Sequence, residues 1–185
     1  DVTLASLLGA ISLVGYPFVA LAIKAEDNGP VFHTHERIGK NDKPIKIVKF
    51  RSMSVAAQDE TGASSPQAVT RIGSFIRKTR IDELPQLWNV VRGDLSLIGP
   101  RPELPPFVDL YEKEIPFHSI RHLIKPGLPG WAQLHPTTPP NSSPSTEDPK
   151  MKLSYDLYYI KNRSFLLDLN IALKTIRELV SRKGR

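Results

Sequence analysis

The sequence predicts an α+β fold in which an apolar N-terminal helix precedes a small, mostly helical domain with one short β-hairpin. Three observations support this prediction: an uncharged apolar run at the N-terminus, two alternating segments joined by a turn, and several segments with apolar residues at helical spacing. The chain has 185 residues, of which 40% are hydrophobic. That length suits one domain with a sizeable core rather than two full domains.

The apolar run covers residues 2–23 without a charged side chain. It is about as long as the roughly 20 residues that a helix needs to cross the apolar core of a bilayer. Pro17 lies within the run, removes one amide donor and predicts a kink. The residues leave three interpretations open: a kinked span, a re-entrant helix that returns to the face it entered, and a buried core helix. Basic residues follow and predict that the downstream part lies on the cytoplasmic side: Lys24, Lys40, Lys43, Lys46, Lys49 and Arg51.

A β-hairpin is predicted after this run. One strand opens at Val31 and Phe32, residues 39–44 form a turn, and a second strand covers residues 45–53 with side chains alternating between two faces. Residues 56–68 are polar and contain glycine, serine and proline, which predicts a loop.

Further helices are predicted from apolar spacing and capping residues. One covers residues 71–80. The next begins with Asp82 as its N-cap, has Pro85 in its first turn and ends at Gly93. Two more are expected over residues 106–115 and 168–182, the last with an apolar stripe along one face. Residues 125–149 are rich in proline, serine and threonine and are predicted to form a long surface loop.

The composition limits the chemistry that the chain can perform. A formal net charge of +6 predicts an anionic partner, such as nucleic acid, acidic lipid or a phosphorylated small molecule. The chain has no cysteine, which excludes disulfides, thiolate zinc sites and cysteine nucleophiles.

Asp82 and Glu83 are the main candidates for catalysis. At a helix start both side chains can face one site, and the exposed amides there favour phosphate oxygens. Magnesium, held by one or two carboxylates together with phosphate oxygens, would relieve the repulsion between carboxylate and phosphate. One carboxylate could then attack phosphorus while the other holds the metal. Judged by this pair alone, a capped helix start without catalytic function is the better explanation.

Basic residues that suit phosphate binding surround the pair in the sequence. Arg101 is the most distinctive, because Pro100 and Pro102 restrict the backbone on either side and direct its guanidinium with little loss of entropy. The others are Arg71, Arg77, Lys78, Arg80 and Arg92, with Lys49 and Arg51 from the predicted hairpin.

Two histidine pairs have spacings that a metal site could use. His33 and His35 would share a strand face, and His118 and His122 would share a helix face. Neither pair has the flanking glutamate of a zinc-protease motif. We therefore interpret all four as histidines that are satisfied within the fold or face solvent.

Several motifs in one order resemble the bacterial sugar transferase family, whose members are monotopic phosphoglycosyl transferases. The resemblance covers nearly the whole chain, and the ordered set is far more specific than any single motif. The motifs are KIVKFRSM at 46–53, TRIG at 70–73, DELPQLWNV at 82–90, GDLSLIGPRPE at 93–103, PG at 126–127, GWAQ at 130–133, YDLYY at 155–159 and LDL at 167–169.

The resemblance implies the transfer of a sugar-1-phosphate from a UDP-sugar to undecaprenyl phosphate at the cytoplasmic face of the bacterial inner membrane. This is the first membrane step of surface glycan or exopolysaccharide assembly. The resemblance also implies a re-entrant membrane helix over residues 1–24 and a catalytic domain over residues 25–185. The family's helix breaks at a Ser-Pro step, for which this chain has Tyr16-Pro17. The expected partners are the UDP-sugar, undecaprenyl phosphate and the membrane, without nucleic acid and with a homo-oligomer left open.

Roles for individual residues also follow from the resemblance. Asp82 matches the family's nucleophile, which attacks the phosphate next to the sugar, expels UMP and is freed by the lipid phosphate in a ping-pong cycle. Glu83 matches the residue that helps to bind Mg²⁺, with Asp82 as the second carboxylate at the metal. The expected substrate-binding set is Lys49, Arg51, Arg77, Pro100, Arg101, Pro102 and Asp156.

The chain departs from the family pattern in places that affect substrate choice. Lys125 stands where the family usually has arginine, and residues 134–140 differ from the usual continuation, so this loop is expected to contribute to the choice of sugar. The basic residues that precede the membrane helix in the family are missing, and we expect the chain to be part of a longer protein. Two other classes remain: a non-catalytic membrane adaptor of a glycan assembly complex, and a nucleic-acid-binding module, against which the acidic pair and the apolar N-terminus argue.

Overall fold

A computed structural model describes residues 1–55, 68–135 and 147–181 of the chain. The described part is mostly helical and contains one two-stranded antiparallel sheet, which confirms the α+β prediction. The α-helices are α1 (Val2–Leu13), α2 (Tyr16–Asp27), α3 (Arg71–Lys78), α4 (Leu87–Arg92), α5 (Pro105–Glu114), α6 (Glu147–Asn162) and α7 (Phe165–Val180). The strands are β1 (Phe32–Ile38) and β2 (Pro44–Phe50), and 3₁₀ helices cover Lys40–Asp42, Ile81–Gln86, His118–Leu123 and Trp131–Leu134. The predicted loop at 56–68 falls almost entirely outside the described residues.

The N-terminal apolar run forms two helices instead of one. α1 and α2 meet at a 56° bend, and Pro17 lies in the first turn of α2, where its missing amide donor is tolerated. The predicted kink is therefore confirmed. No single described helix is long and apolar enough to cross a bilayer, whereas α1 and α2 together satisfy that requirement by length and composition.

Both N-terminal helices pack against the rest of the fold. Ala5 of α1 is fully buried in a cluster with residues of β2, α4 and the segment after α4: Ile47, Leu87, Val90 and Leu95. A second cluster joins α2, β2 and α3 through Ile23, Phe50 and Ile76. Many other apolar side chains of the two helices are exposed, among them Leu7, Ile11, Phe18 and Leu21. The two helices therefore pack against the domain through some apolar residues and expose others outside the two core clusters.

The predicted hairpin is confirmed. β1 and β2 pair antiparallel from Phe32 opposite Phe50 to Ile38 opposite Pro44. The 3₁₀ turn between them contains Asn41 and Asp42 with positive φ values of 55° and 59°, a left-handed conformation that asparagine and aspartate tolerate better than most residues.

The segment that holds the acidic pair differs from the prediction. Asp82 is not an N-cap, because it lies inside a 3₁₀ helix, Ile81–Gln86, that follows Arg80 in a left-handed conformation (φ 58°, ψ 14°). The α-helix begins only at Leu87. Pro85 explains the difference: in an α-helix its ring would clash with the carbonyl four residues earlier, and it has no amide to donate. The tighter 3₁₀ turns therefore persist until the proline has been passed.

The prediction of a long surface loop over residues 125–149 is wrong at both ends. Pro126, Gly127, Gly130 and Ala132 are buried, because the glycines allow this segment to pack closely against the backbone around Gly99. Residues 147–149 already belong to α6, a helix that the apolar spacing did not predict. The part between them, residues 136–146, lies outside the described residues.

α7 also begins earlier than predicted. The Ser164 hydroxyl is its N-cap and accepts a hydrogen bond from the Leu167 amide over 3.2 Å. The fully buried residue of this helix is Ile171. Most of the predicted apolar stripe is exposed, including Leu169, Leu173, Ile176 and Val180.

Asn89 connects α4 to the edge of β2. It is 1% exposed, and its side-chain amide donates to the Lys46 carbonyl over 2.7 Å and to Asp94 Oδ2 over 3.2 Å. Its side-chain oxygen accepts from the Val48 amide over 3.4 Å. These hydrogen bonds hold the hairpin against the helix that follows the acidic pair.

We predict that Asn89→Ala lowers the free energy of unfolding by about 2 kcal/mol, because it removes these hydrogen bonds from a buried position. Denaturant unfolding of the detergent-solubilised protein measures the change, provided that the dependence of the unfolding free energy on denaturant concentration is the same in both proteins. Asn162→Ala is the matched control, since the Asn162 amide donates to the Tyr158 carbonyl at an exposed position on α6. The control is expected to change stability by less than about 0.5 kcal/mol; equal losses in both variants would contradict the assigned role of Asn89.

Candidate active site

The acidic pair lies on the 3₁₀ helix that precedes α4. Asp82 is 6% exposed, and the side chain of Glu83 is 17% exposed. Successive residues of a 3₁₀ helix point about 120° apart, so the two carboxylates have different surroundings. Asp82 Oδ1 is buried and has no hydrogen-bond partner among the described residues. Because a buried carboxylate oxygen without a partner costs free energy, this atom is the one that a bound ligand or ion would satisfy.

Glu83 is bound by two arginines. Arg101 Nη2 donates to Glu83 Oε1 over 2.5 Å, and Arg80 Nη1 donates to the same oxygen over 3.4 Å. Arg101 also donates through Nη1 to the Leu128 carbonyl over 3.3 Å. Since both ends of the guanidinium are engaged, the orientation of Arg101 toward Glu83 is defined.

These surroundings separate the pKa values of the two carboxyls. Burial, followed by the neighbouring charge of Glu83, raises the pKa of Asp82, although Lys49 and other cations oppose the shift. Burial, the largest single influence, would also raise the pKa of Glu83. The charge and hydrogen bond of Arg101, together with the charges of Arg80 and Lys49, outweigh it and lower the pKa of that group. Neighbouring carboxyls with separated pKa values are typical of active sites in which one group stays ionised and the other takes part in the reaction.

A cavity of about 220 Å³ brings together three of the predicted phosphate-binding cations. Lys49, Arg51 and Arg77 line it, together with His33 and residues 52–55. The charges of Lys49 and Arg77 also act on the pKa of Asp82, which links this basic cavity to the acidic pair. Arg51 forms an ion pair with Asp27, so its positive charge is partly neutralised within the fold. Lys49 and Arg77 are therefore the cations best suited to an anionic ligand.

The Pro100-Arg101-Pro102 segment is held through its backbone carbonyls. A Cβ at Gly127 would lie 2.0 Å from the Gly99 amide nitrogen, so this close approach requires glycine. Four successive carbonyls accept hydrogen bonds: Pro100 from the Gly127 amide (2.9 Å), Arg101 from Arg121 Nη2 (2.9 Å), Pro102 from Arg37 Nη1 (3.2 Å) and Glu103 from the Ile38 amide (2.9 Å).

Asp156 lies in a buried group of charges behind this segment. It is 1% exposed, and Arg121 Nη2 lies 2.8 Å from its Oδ2. Burial raises the pKa of Asp156 to about 6, although the charge of Arg121 opposes the shift. Arg121 also forms an ion pair with Glu103, whose other carboxylate oxygen lies 3.1 Å from His118 Nε2. Asp156 is therefore linked to the acidic pair through Arg121 and Arg101, and its substrate-binding role stays a prediction.

The histidines match the prediction only in part. His118 and His122 are buried beside carboxylates, and His122 Nδ1 lies 2.6 Å from Asp42 Oδ1, whereas His118 Nδ1 is buried without a hydrogen-bond partner among the described residues. His33 is exposed. The prediction is wrong for His35, which is half-buried and whose Nδ1 is buried without a hydrogen-bond partner among the described residues. Burial, followed by nearby cationic charge, lowers the pKa of His35 to about 4, so its ring is neutral at pH 7.

Sequence patterns did not identify two residues that hold the site together. Arg37 donates a hydrogen bond to the Pro102 carbonyl, and Arg121 donates one to the Arg101 carbonyl. Each arginine is distant along the chain from the carbonyl that it binds. The sequence does not distinguish them from surface arginines, because every residue has a backbone carbonyl and the residue types do not indicate which carbonyl an arginine binds. One signal was available: a segment with two prolines lacks two amide donors, and its carbonyls must be held by donors from elsewhere.

The chain is similar to a bacterial sugar transferase family, to two named undecaprenyl-phosphate sugar-phosphate transferases and to an exopolysaccharide production protein. The family model described as bacterial sugar transferase matches residues 1–182. The chain is 46% identical over 170 residues to a UDP-N-acetylgalactosamine-undecaprenyl-phosphate N-acetylgalactosaminephosphotransferase from Aeromonas hydrophila, covering 89% of this chain and 39% of that protein. It is 36% identical over 179 residues to a UDP-glucose:undecaprenyl-phosphate glucose-1-phosphate transferase from Escherichia coli, covering 95% of this chain and 38% of that protein.

A third relative has nearly the same length as the matched region. The chain is 39% identical over 175 residues to an exopolysaccharide production protein from Rhizobium leguminosarum, covering 90% of this chain and 86% of that protein. The chain thus spans about two fifths of the first two relatives, 39% and 38%, and most of the third. Because the family model matches nearly every residue, the chain belongs to the bacterial sugar transferase family.

Proposed function

We propose that the chain transfers a sugar-1-phosphate from a UDP-sugar to undecaprenyl phosphate and releases UMP, with Asp82 as the nucleophile. The observation that carries the proposal is Asp82 Oδ1, which is buried without a hydrogen-bond partner among the described residues and is linked electrostatically to a cavity lined by Lys49 and Arg77. A carboxylate with such an oxygen, near cations that suit a diphosphate, has the properties of a nucleophile for covalent phosphoryl transfer. The names of the relatives support these classes of donor and acceptor.

The proposed reaction has two displacement steps. In the first, a carboxylate oxygen of Asp82 attacks the phosphorus that bears the sugar, and the bond from that phosphorus to the UMP oxygen breaks with its electron pair leaving on UMP. In the second, an oxygen of undecaprenyl phosphate attacks the same phosphorus and the bond to Asp82 breaks, which regenerates the carboxylate. Both nucleophiles act as anions, so neither step requires a general base.

The acidic pair divides the work between its members in this proposal. Glu83 stays ionised because Arg101 lowers its pKa, and it contributes negative charge rather than a nucleophile. Asp82 is held in a site that disfavours its charge, which increases the tendency of its carboxylate to react. Lys49 and Arg77 reduce the repulsion between this carboxylate and the diphosphate of the donor.

The residues at the site fit a Mg²⁺ ion. Within the part of the chain that the structure describes, Asp82 Oδ1 is buried without a partner, and both arginines at Glu83 contact Oε1 rather than Oε2. Hard carboxylate oxygens, supplemented by water and phosphate oxygens, are the ligands that Mg²⁺ prefers. We propose that Asp82 and Glu83 would hold the ion, which when bound supplies positive charge to the departing phosphate of UMP.

We also propose that α1 and α2 form a re-entrant helix in the cytoplasmic face of the bacterial inner membrane. Ser96 Oγ donates to Asp1 Oδ2 over 2.6 Å, so the first residue contacts the domain instead of lying a membrane thickness away. The 56° bend and the exposed apolar side chains of both helices support the same topology. An apolar cavity of about 430 Å³ is lined by residues of α1, α2, β1, β2 and α4 and by Pro85, which lies on the same 3₁₀ helix as the acidic pair. It suits the hydrocarbon part of a lipid acceptor.

We predict that purified protein with Mg²⁺ and a polyprenyl phosphate releases UMP from one member of a donor panel. The panel contains UDP-N-acetylgalactosamine and UDP-glucose, the donor classes in the names of the relatives, with UDP-galactose and UDP-N-acetylglucosamine. Asp82→Asn is expected to lower kcat by at least about 10³-fold, because an amide cannot act as the nucleophile. Asp109→Asn, an exposed charge change on α5, is the control and should retain activity.

Two outcomes separate the parts of this proposal. Full activity of Asp82→Asn would remove Asp82 as nucleophile while leaving the reaction in place. No UMP release from any donor, together with specific binding to glycan assembly proteins, would instead favour a non-catalytic adaptor.

The pH dependence of kcat/KM provides a second test of Asp82. Activity requires its carboxylate, so it falls as the pH drops through the pKa, which lies above the ordinary aspartate value of about 3.9. Arg80→Gln removes a cation that lowers this pKa, so we expect the acidic limb to move to higher pH. Lys78→Gln is the matched control, an equal charge change at an exposed position two residues away, and should leave the limb unchanged. Equal shifts in both variants would indicate a general charge effect.

The re-entrant topology predicts that both ends of the N-terminal helix pair are accessible from one side of the membrane. The chain has no cysteine, so Thr3→Cys, Ala25→Cys and Asp109→Cys can each be labelled with a membrane-impermeant maleimide in sealed vesicles. All three positions are exposed in the structure and are expected to react from the same side, with Asp109→Cys reporting the side of the domain. Opposite accessibility of Thr3→Cys and Ala25→Cys would show that the helix pair spans the bilayer.

A further inference from the structure

We propose that Arg121 is a positioning residue for the transfer reaction: it holds the backbone of Arg101, and through Arg101 it sets the position of Glu83. This inference rests on the proposed function, and it adds a residue outside the predicted site. Arg121 does not contact the acidic pair, so its effect must pass through the Arg101 segment.

The contacts of Arg121 are concentrated on one segment of the site. Arg121 lies on the 3₁₀ helix His118–Leu123 and is 5% exposed. Its Nη2 donates to the Arg101 carbonyl over 2.9 Å and lies 2.8 Å from Asp156 Oδ2, while its Nη1 forms an ion pair with Glu103. One guanidinium therefore binds the segment at two positions, Arg101 and Glu103, and ties both to α6.

The path from Arg121 to the acidic pair consists of two successive hydrogen bonds. Arg121 Nη2 holds the Arg101 carbonyl, and Arg101 Nη2 donates to Glu83 Oε1 over 2.5 Å. The prolines on both sides of Arg101 restrict its backbone, so a displacement of this carbonyl also displaces the Arg101 side chain. Misplacement of a catalytic group by about 1 Å can cost about 100-fold in rate.

Stability alone does not explain this arrangement. Buried ion pairs contribute little net stability, because desolvation offsets most of the attraction. A guanidinium has five donors in a fixed plane, which allows simultaneous contacts to two carboxylates and a carbonyl. A lysine at this position would supply a point charge without that geometry, so Arg121→Lys is expected to retain the charge and lose the orientation of Arg101.

The test compares activity in variants chosen to keep the fold intact. Arg121→Met leaves the carboxylates of Glu103 and Asp156 buried without their cation and is at risk of unfolding. The combined variant Arg121→Met, Glu103→Gln, Asp156→Asn removes all three charges and serves as the second variant. We expect kcat for UMP release, measured with the donor that the panel identifies, to fall about 10- to 100-fold in the combined variant and in Arg121→Lys. In Arg121→Lys, which leaves Asp156 in place, the KM for the donor is expected to change less than about threefold, since the cations of the basic cavity are untouched.

Non-additivity distinguishes positioning from a structural role. If Arg121 acts through Arg101, adding Arg101→Ala to the combined variant should cause little further loss beyond Arg101→Ala alone. Ile171→Val, a fully buried change on α7, is the stability control and should combine additively with Arg101→Ala. The inference would be overturned by additive losses from Arg121 and Arg101, or by an activity loss equal to that of a control variant with the same measured Tm.

A readout without turnover separates this inference from the proposed function. The position of the Arg101 side chain can be followed without substrate through the Nε–H resonance of its guanidinium in nitrogen-labelled protein, assigned with Arg101→Ala. Because Arg121 Nη2 donates to the Arg101 carbonyl and Arg101 Nη2 donates to Glu83 Oε1, this resonance should move in the combined variant and in Arg121→Lys, and stay unchanged in Ile171→Val. An unchanged Arg101 resonance in the combined variant would sink the role of Arg121 even if the enzyme proved active, whereas the expected shift would support it even if no donor were turned over.

Discussion

The two prolines beside Arg101 impose the constraint on which much of this structure depends. They remove two amide donors from a short, partly buried segment, and its carbonyls are satisfied by groups from other parts of the chain. Those groups come from β1, from the 3₁₀ helix His118–Leu123 and from the glycine-containing segment around Gly127. The hairpin and the C-terminal half of the chain therefore both contact this segment. Their hydrogen bonds hold its backbone in place and so determine the position of the Arg101 Cα, from which the side chain extends.

The properties of the acidic pair follow from that position. Two adjacent carboxylates with equal surroundings would repel each other and titrate as a coupled pair. Here Arg101 lowers the pKa of Glu83, while burial raises the pKa of Asp82, one of whose oxygens has no partner among the residues that the structure describes. The 3₁₀ geometry caused by Pro85 adds to this difference, because it directs the two side chains to different surroundings.

The N-terminal helices have two kinds of apolar residue, buried and exposed. Ala5 and Ile23 are buried in the two core clusters of the domain, yet neighbouring apolar residues of the same helices are exposed. Exposed apolar surface on this scale is costly in water and favourable in a lipid phase. A bent helix pair that packs on the domain and also enters one leaflet would satisfy both sets of residues, and the contact between Asp1 and Ser96 is consistent with that arrangement.

Much of the local structure could be predicted from residue types. Pro17 predicted the break between α1 and α2, alternating residues predicted the hairpin, and Gly93 predicted the end of α4, where it adopts a φ of 86°. The ordered motifs predicted the family and, through it, the candidate residues. These features depend on backbone restrictions and periodicities that act within a few residues, so a sequence displays them directly.

The arrangement of the site was decided by tertiary contacts. The sequence by itself determined that Asp82, Glu83 and Arg101 are present and that prolines restrict the backbone around them. It did not show that Arg121 and Arg37 hold the Arg101 segment, that Asp156 is buried beside Arg121, or that a ring nitrogen of His35 is buried without a hydrogen-bond partner among the described residues. The contacts of the two arginines join residues 20 or more positions apart, and the burial of Asp156 and His35 depends on segments that are distant along the chain. Only the folded chain brings those groups together, and for this reason the chemistry of the pair is a property of the tertiary structure.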